Sequence, residues 1–396
     1  MELQSPKPDE HLETLAQMFA ATFSTYWDRR RYVHDGYIAG SDYDWNASRV
    51  GVVDGEVATH FGVWDRRMRI GSAAVRVAAI GAVATLEHHR KKGLMAKTAA
   101  NCVDGLSEAG YDLSLLFGIP GFYHKFGYVR SFPRAMFFLD VRDNPGAEKA
   151  PELTEGGEDI AAFSEQYNRE NEGVTGTWVR PTYGTNRKPG TYKLYRFSAG
   201  YIYAQRSEDE LQVVDCAGPP DQVVAAGREL ARGELCPTLV FPFLPPRSAV
   251  GEYIRTLRHR YDLRHEAGGG PMFKTVNLAA TTRKMLPVWT ERLRAAGWGD
   301  YSGTLGLISD AEAVVLTITE GIAAACQAEE PESVRKSGEW SGVVDAGASL
   351  VRFYVGDEPV HRVVRQSGAT LSGHAAHLAP VLFPHEEPST VLWDRF

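Results

Sequence analysis

The amino-acid sequence predicts an α/β (α+β) protein of three domains, and three observations carry that expectation. The chain has 396 residues, about two and a half times the roughly 150 that one domain usually takes. β-rich runs alternate with amphipathic stretches along it, as sheets flanked by helices require. Two breaks divide the pattern, a turn-forming, charged stretch at about 141–157 and a change near Ala279. The expected domains are 1–145, 146–278 and 279–396.

Composition narrows the class. The chain is 43% hydrophobic, 23% charged and 11% aromatic, which fits ordinary globular domains and excludes a disordered or fibrous chain. Lys and Arg number 43 against 50 Asp and Glu, a formal charge of −7. A general polyanion surface, and with it a nucleic-acid partner, is therefore not expected, and any anion site has to be local. Cys102, Cys216, Cys236 and Cys326 form no Cys-x-x-Cys pair, so neither a disulfide framework nor a zinc knuckle is expected. The N-terminus lacks a basic-then-apolar leader and no stretch reaches 18 apolar residues, so the expectation is a cytoplasmic protein without a membrane partner.

Element by element, a helix is predicted over Glu10–Phe23, then a polar, aromatic-rich segment through Asn46. Two β-runs within Arg49–Trp64 flank Asp54-Gly55, a strong hairpin signal. A strand over Ala74–Thr85, a helix over Leu94–Ala109 stopped by Gly110, a strand over Asp112–Phe117, a helical turn at Phe122–Phe126 and a strand over Ala135–Asp140 follow. Past the linker come a helix at Asp159–Asn171, strands at Gly200–Gln205 and Leu211–Cys216, a helix at Pro220–Arg232, a strand at Thr238–Pro242, a helix at Ala249–Arg260 and a strand at Met272–Leu278. The third region should hold a helix over Thr281–Ala296 that Pro287 kinks or starts. Strands at Gly303–Ser309 and Ala313–Thr319, a strand-like Ser349–Tyr354 and a helix over Ala369–Leu382 complete it.

The sharpest chemical signal is the junction from Val83 to Met95. A buried strand feeds Leu86-Glu-His-His-Arg90-Lys-Lys-Gly93, and a helix begins at Leu94. The free N–H groups of a first helical turn and its positive dipole end bind anions. Arg90, Lys91 and Lys92 add charge, and Gly93 lets the backbone approach a ligand. A basic triplet by itself is most often a solvated turn, and neither the Walker nor the dinucleotide glycine pattern is present. The strand–loop–helix setting makes the expected ligand a phosphate or pyrophosphate. His34, His60, His88, His89 and His124 have no metal-ligand spacing, and no metal is expected.

Arg90-x-x-Gly93-Leu94, with Val83 and Thr85 on the strand before it, resembles the acetyl-CoA signature of the GNAT acetyltransferases. Gly121-Phe-Tyr123-His-Lys-Phe126-Gly127-Tyr128 resembles the family's second signature. Met95 stands where most members have Gly or Ala, a departure that is similar to the Eis-like branch. The resemblance implies tandem GNAT domains, the first intact and the second degenerate, plus a C-terminal sterol-carrier-like domain. It implies acetyl-CoA as donor, a primary amine of aminoglycoside, polyamine or lysine type as acceptor, and a homo-oligomer, a hexamer in that branch. A non-catalytic acyl-CoA or lipid-binding protein is the alternative.

The residues the resemblance assigns to CoA are Val83, Ala84, Thr85, Arg90, Lys91, Lys92, Gly93, Leu94 and Met95. A lysine-type amine is neutral in only about one molecule in 2,500 at pH 7, so a base has to take its proton before attack. The resemblance gives that role to the main-chain carboxylate of Phe396, with Asp394 and Glu87 as alternatives, and gives Tyr123 the protonation of the leaving thiolate, ahead of Tyr128. Gly118-Ile119-Pro120 replaces the serine and glutamate of close Eis relatives. The acceptor is expected along Tyr26-Trp27-Asp28 through Tyr43-Asp44-Trp45.

Overall fold

A computed structural model describes residues 1–23, 33–119, 121–142, 149–157, 159–181, 192–266 and 268–389. Its strands, numbered along the chain, form three sheets. The first runs in the order β1 (Glu2–Gln4), β2 (Arg49–Val53), β3 (Glu56–Ile70), β4 (Ala73–Thr85), β5 (Leu113–Gly118), β14 (Gly270–Thr275) and β6 (Val129–Arg130). The second is ordered β13 (Arg260–Arg264), β7 (Arg134–Asp140), β12 (Thr238–Phe241), β11 (Glu210–Ala217), β10 (Gly200–Ser207), β9 (Lys193–Phe197) and β8 (Thr154–Glu155). The third is ordered β17 (Ile322–Glu329), β16 (Ala313–Thr319), β15 (Gly303–Ile308), β18 (Gly342–Asp345) and β19 (Thr370–Gly373).

Local chemistry sets the first sheet. Asp54 and Gly55 both have positive φ, 51° and 82°, the backbone of the tight turns that match strand twist, and β2 and β3 pair antiparallel across them. β3 then runs on past Trp64 to Ile70 and pairs with β4 down to Ile70↔Ala73. Along β4, Val75, Val77 and Ala79 alternate with Ala78 and Ile80, so two faces are apolar and both are covered. The helix Leu94–Gly105 packs Ala99, Cys102 and Val103 against Ala78, Ile80, Phe61 and Val63. On the other face lie the helix Pro8–Phe23, through Leu15, Met18 and Phe19, and the helix Leu278–Ala295, through Met285, Val288 and Trp289.

The sheets exchange strands. β14 comes from the expected second domain and sits between β5 and β6 of the first sheet, in register Phe273↔Leu115 and Phe273↔Val129. β7 comes from the expected first domain and sits between β12 and β13 of the second.

Several elements depart from expectation. The helix after Gly93 ends at Gly105, and Leu106–Gly110 is a turn. The helix Ala249–Thr256 stops short because Arg260–Arg264 is drawn out as an edge strand on β7. Leu278 begins a helix, with the Asn277 side chain accepting from the Ala280 N–H at 2.8 Å. Pro287 therefore does not start that helix and is carried inside it, because Leu278, Met285, Trp289 and Leu293 bury one continuous face. Leu350–Tyr354 is a short helix rather than a strand, and β19 precedes the helix Ala375–Leu382. Among the described residues no helix is long and apolar enough to cross a membrane.

The buried carboxylate of Asp112 fastens the first sheet to the third region. It accepts the Arg76 N–H at 2.6 Å and pairs with Lys284. The Asp112 carbonyl takes the N–H groups of Val276 and Asn277. Asp112→Ala should lower stability by about 1–3 kcal/mol, through lost charge-assisted hydrogen bonds and an Arg76 N–H left without its acceptor, and the unfolding midpoint in urea measures it.

Candidate active site

β4 and β5 are parallel neighbours only from Val77↔Leu113 to Ile80↔Leu116. Beyond that point the two no longer pair with each other, β4 running on to Thr85 beside β3 and β5 to Gly118 beside β14. The gap is a cleft of about 380 Å³ lined by Gly81, Val83, Thr85 and Met95 on one side and Phe117 and Tyr123 on the other, with further apolar side chains between. Most of that lining is apolar, so a thin, largely uncharged ligand arm fits it. Val83 and Thr85 face the cleft, while Ala84, 2% exposed, turns its methyl into the core beneath the helix Pro8–Phe23. Only the backbone of Ala84 is therefore open to a ligand.

One end of the cleft is electropositive. Gly93 is the N-cap of the helix Leu94–Gly105 with φ 73°, and no side chain caps the helix. Its first N–H groups are thus left for a ligand. A Cβ on Gly93 would meet nothing within 4 Å, so the glycine serves the left-handed backbone, which a side chain would strain. Lys91 takes the same region, φ 62°. Arg90, Lys91 and Lys92 are exposed, and none makes an ion pair among the described residues. The Arg90 Nε donates to the Thr85 carbonyl at 3.1 Å, tying the loop to the strand end. Behind the loop, Glu56 accepts from His88 and His89 at 2.8 and 3.0 Å, and these two bonds hold its carboxyl below the usual range. The clamp joins the β2–β3 turn to the turn Glu87–His89, a pairing that histidine spacing could not show.

The other end carries Tyr123, 7% exposed on the short helix Tyr123–Phe126. Burial pushes its phenol up to about 12, so it stays protonated and able to donate at neutral pH. Tyr128 is 1% exposed and engaged with the Ser114 hydroxyl at 2.7 Å, away from the cleft. Gly118 explains the local departure from serine: a Cβ there would lie 2.4 Å from Met272 Sδ and 2.9 Å from Tyr123 Cδ2. The missing side chain is what seats the tyrosine ring.

The expected acceptor segment is only partly described, since Tyr26, Trp27 and Asp28 lie outside the described residues. Asp44 accepts from Tyr111 at 2.7 Å and from the Asn46 and Ala47 N–H groups. Asp42 and Asp65 pair with Arg66 and Arg76. With Tyr43 and Trp45 they line a separate open cleft of about 620 Å³. Phe396 and Asp394 also lie outside the described residues, and Glu87 is an exposed side chain on the turn Glu87–His89. Among the described residues the second sheet shows no equivalent anion end: the helix Pro220–Gly233 begins with Pro220, which has no N–H, and Asp221, which repels an anion.

Comparison with known proteins fits this geometry. Residues 2–130 match the family model described as Acetyltransferase (GNAT) domain, and the protein is an acyltransferase enzyme. The whole chain has the fold of a GCN5-related N-acetyltransferase from Kribbella flavida (17% identity, 100% of each chain covered, TM-score 0.70). The same holds for one from Anabaena variabilis (17% identity, 98% of each chain, TM-score 0.69). Eis1 from Mycobacterium abscessus is similar over 96% of each chain, at 14% identity and a TM-score of 0.67. Among curated proteins none matches the sequence.

Gly118→Ala should destabilise the protein by about 1–3 kcal/mol through overpacking and displace Tyr123, read as a lower melting temperature together with reduced turnover. His60, buried with its imidazole pushed down to about 4, should stay neutral in histidine NMR titrations to pH 5. An unfolded histidine protonates near 6.5, so this residue's contribution, about 3 kcal/mol, is present above pH 6.5 and lost as pH falls towards 4.

Proposed function

We propose that the protein is an Eis-like, acetyl-CoA-dependent N-acetyltransferase that moves the acetyl group directly to a primary amine. One observation carries the reading: an apolar cleft between two parted strands runs from an uncapped helix N-terminus beside three exposed cations to a protonated, buried tyrosine. Pantetheine fits the apolar middle as an added strand on Val83–Thr85. The pyrophosphate fits the first turn at Leu94 and Met95, under Arg90, Lys91 and Lys92. Residues 1–145 form the working GNAT domain, 146–278 a degenerate one whose helix start opposes an anion, and 279–396 the sterol-carrier-like unit, in a homo-oligomer of the hexameric Eis type.

The neutral amine attacks the thioester carbonyl, the C–N bond forms, the C–S bond breaks, and Tyr123 gives its proton to the departing thiolate. The phenol recovers a proton from solvent. The amine's own proton goes to a carboxylate, for which Phe396 is the proposed group. The described end of the chain supports that assignment. Glu386 pairs with Arg292 at 2.5 Å and Glu387 with Arg255 at 2.7 Å. Ser389 is 2% exposed and lines a small pocket with Phe117, which also lines the cleft. Seven residues reach at most about 25 Å, enough for a terminus starting from that pocket.

The primary experiment is CoA release with a panel of polyamines, aminoglycosides and lysine peptides. At least one should raise the rate well above hydrolysis; acetyl-CoA binding without any turnover would favour a binding protein. Tyr123→Phe should lower kcat by about 100-fold or more with acetyl-CoA affinity retained, and residues appended after Phe396 should lower kcat likewise. Removing charge at Arg90 and Lys92 together should weaken acetyl-CoA in calorimetry while sparing acetyl-pantetheine, which has no pyrophosphate.

A further inference from the structure

His60 has no part in the steps above, yet the cleft's wall hangs on it. It sits on β3, 0% exposed, inside the largely apolar run Val57–Trp64. A buried imidazole is costly unless both nitrogens are served, and here both are. Nδ1 lies 2.8 Å from the Ala82 carbonyl and Nε2 2.7 Å from the Tyr43 hydroxyl. A carbonyl only accepts, so Nδ1 carries the proton. The ring is neutral, so Nε2 accepts from Tyr43. One tautomer is therefore fixed without reference to any ligand.

The bond to Ala82 falls where β4 breaks register. His60 pairs with Ala84, but Gly62 pairs with Gly81, so β4 holds one residue more than β3 over this interval. Such a bulge takes backbone groups out of the ladder. Ala82 has φ 45°, a backbone disfavoured for a residue with a Cβ. Both Ala82 and Val83 line the cleft. Gly62 accommodates the ring, because a Cβ there would lie 2.6 Å from the His60 Cε1 and 3.0 Å from the Gly81 carbonyl oxygen.

We propose that His60 is a positioning residue for acyl transfer: its Nδ1–H holds the Ala82 carbonyl, and the bulge so fixed sets the Ala82–Val83 backbone, which lines the cleft, against the thioester carbonyl of the bound donor. The inference rests on the acetyltransferase reading of this cleft. It assigns to β3 a role in stabilising the charge that builds on that carbonyl oxygen, while CoA affinity stays with the loop at Arg90–Met95. Tyr43 acts one bond further out, by fixing the ring's orientation.

The test compares wild type with His60→Asn, which keeps an N–H donor near the place of Nδ1, and His60→Leu, which has none. Each is assayed for kcat and KM and by the 13C resonance of acetyl-CoA labelled at the thioester carbonyl in the binary complex. His60→Leu should lower kcat about 10- to 100-fold, less than the roughly 100- to 1,000-fold that loss of an oxyanion donor itself costs because His60 acts through the backbone, with the dissociation constant changed less than about threefold. The bound carbonyl resonance should move towards its free position, and His60→Asn should recover part of both effects. If His60→Leu does not fold, Gly62→Ala, which crowds the ring from the other side, should give the same pair of changes. Wild-type kcat and an unmoved resonance in the variants would overturn the proposal. So would a loss of affinity with kcat unchanged. Wild type inactive on every acceptor would instead sink the acetyltransferase reading, and the carbonyl resonance would still judge His60.

Discussion

The parting of β4 from β5 past Ile80↔Leu116 is the constraint on which the rest of the site depends. Two parallel strands that stay paired have no free backbone between them; two that separate expose both edges to a ligand. Here separation is built in from both sides. β4 is held off by its bulge at Ala82 and by the pairing with β3 that resumes at His60↔Ala84. β5 is held by β14, which pairs with it from Leu113 to Gly118. The cleft is thus wedged open by partners on its outer flanks rather than by a ligand.

That arrangement explains why strands are exchanged. β14 arrives from beyond the second sheet and then leads directly into the helix Leu278–Ala295, which covers the first sheet's back face. The same stretch therefore buttresses the cleft, anchors on Asp112 and opens the third region. A shared core follows: Met68, Val75 and Leu115 of the first sheet join Trp289, Leu316 and Phe383 of the third region in one cluster. The tail is drawn into it as well, since Glu386 and Glu387 are ion-paired to Arg292 and Arg255. A seemingly modular chain is mechanically continuous around one site.

What could be read in the sequence was local. Asp54-Gly55, Gly93 and the basic loop each depend on a few adjacent residues and on backbone rules that a sequence displays. The Tyr123 helix was legible through its glycine and aromatic spacing. What escaped was long-range. His60 is bonded to Tyr43 and Ala82, 17 and 22 residues away, and only a polar residue within an apolar strand hinted at it. Gly118 stands out in the sequence only as a departure from serine; the reason for it, the approach of Met272 and Tyr123, is long-range. β17 went unseen because its side chains alternate weakly and are mostly exposed. Leu350–Tyr354 has the composition of a strand and folds as a helix because Leu350, Val351, Phe353 and Tyr354 are all buried in the shared core.

The gap between the parted strands is the proposed acyl-donor site. A crystal structure with bound CoA measures it most directly. Pantetheine should lie along Val83–Thr85, with the pyrophosphate on the N–H groups of Leu94 and Met95 and the sulfur within reach of the Tyr123 hydroxyl. CoA bound in the Asp42–Trp45 cleft or on the second sheet, with this gap empty, would contradict it.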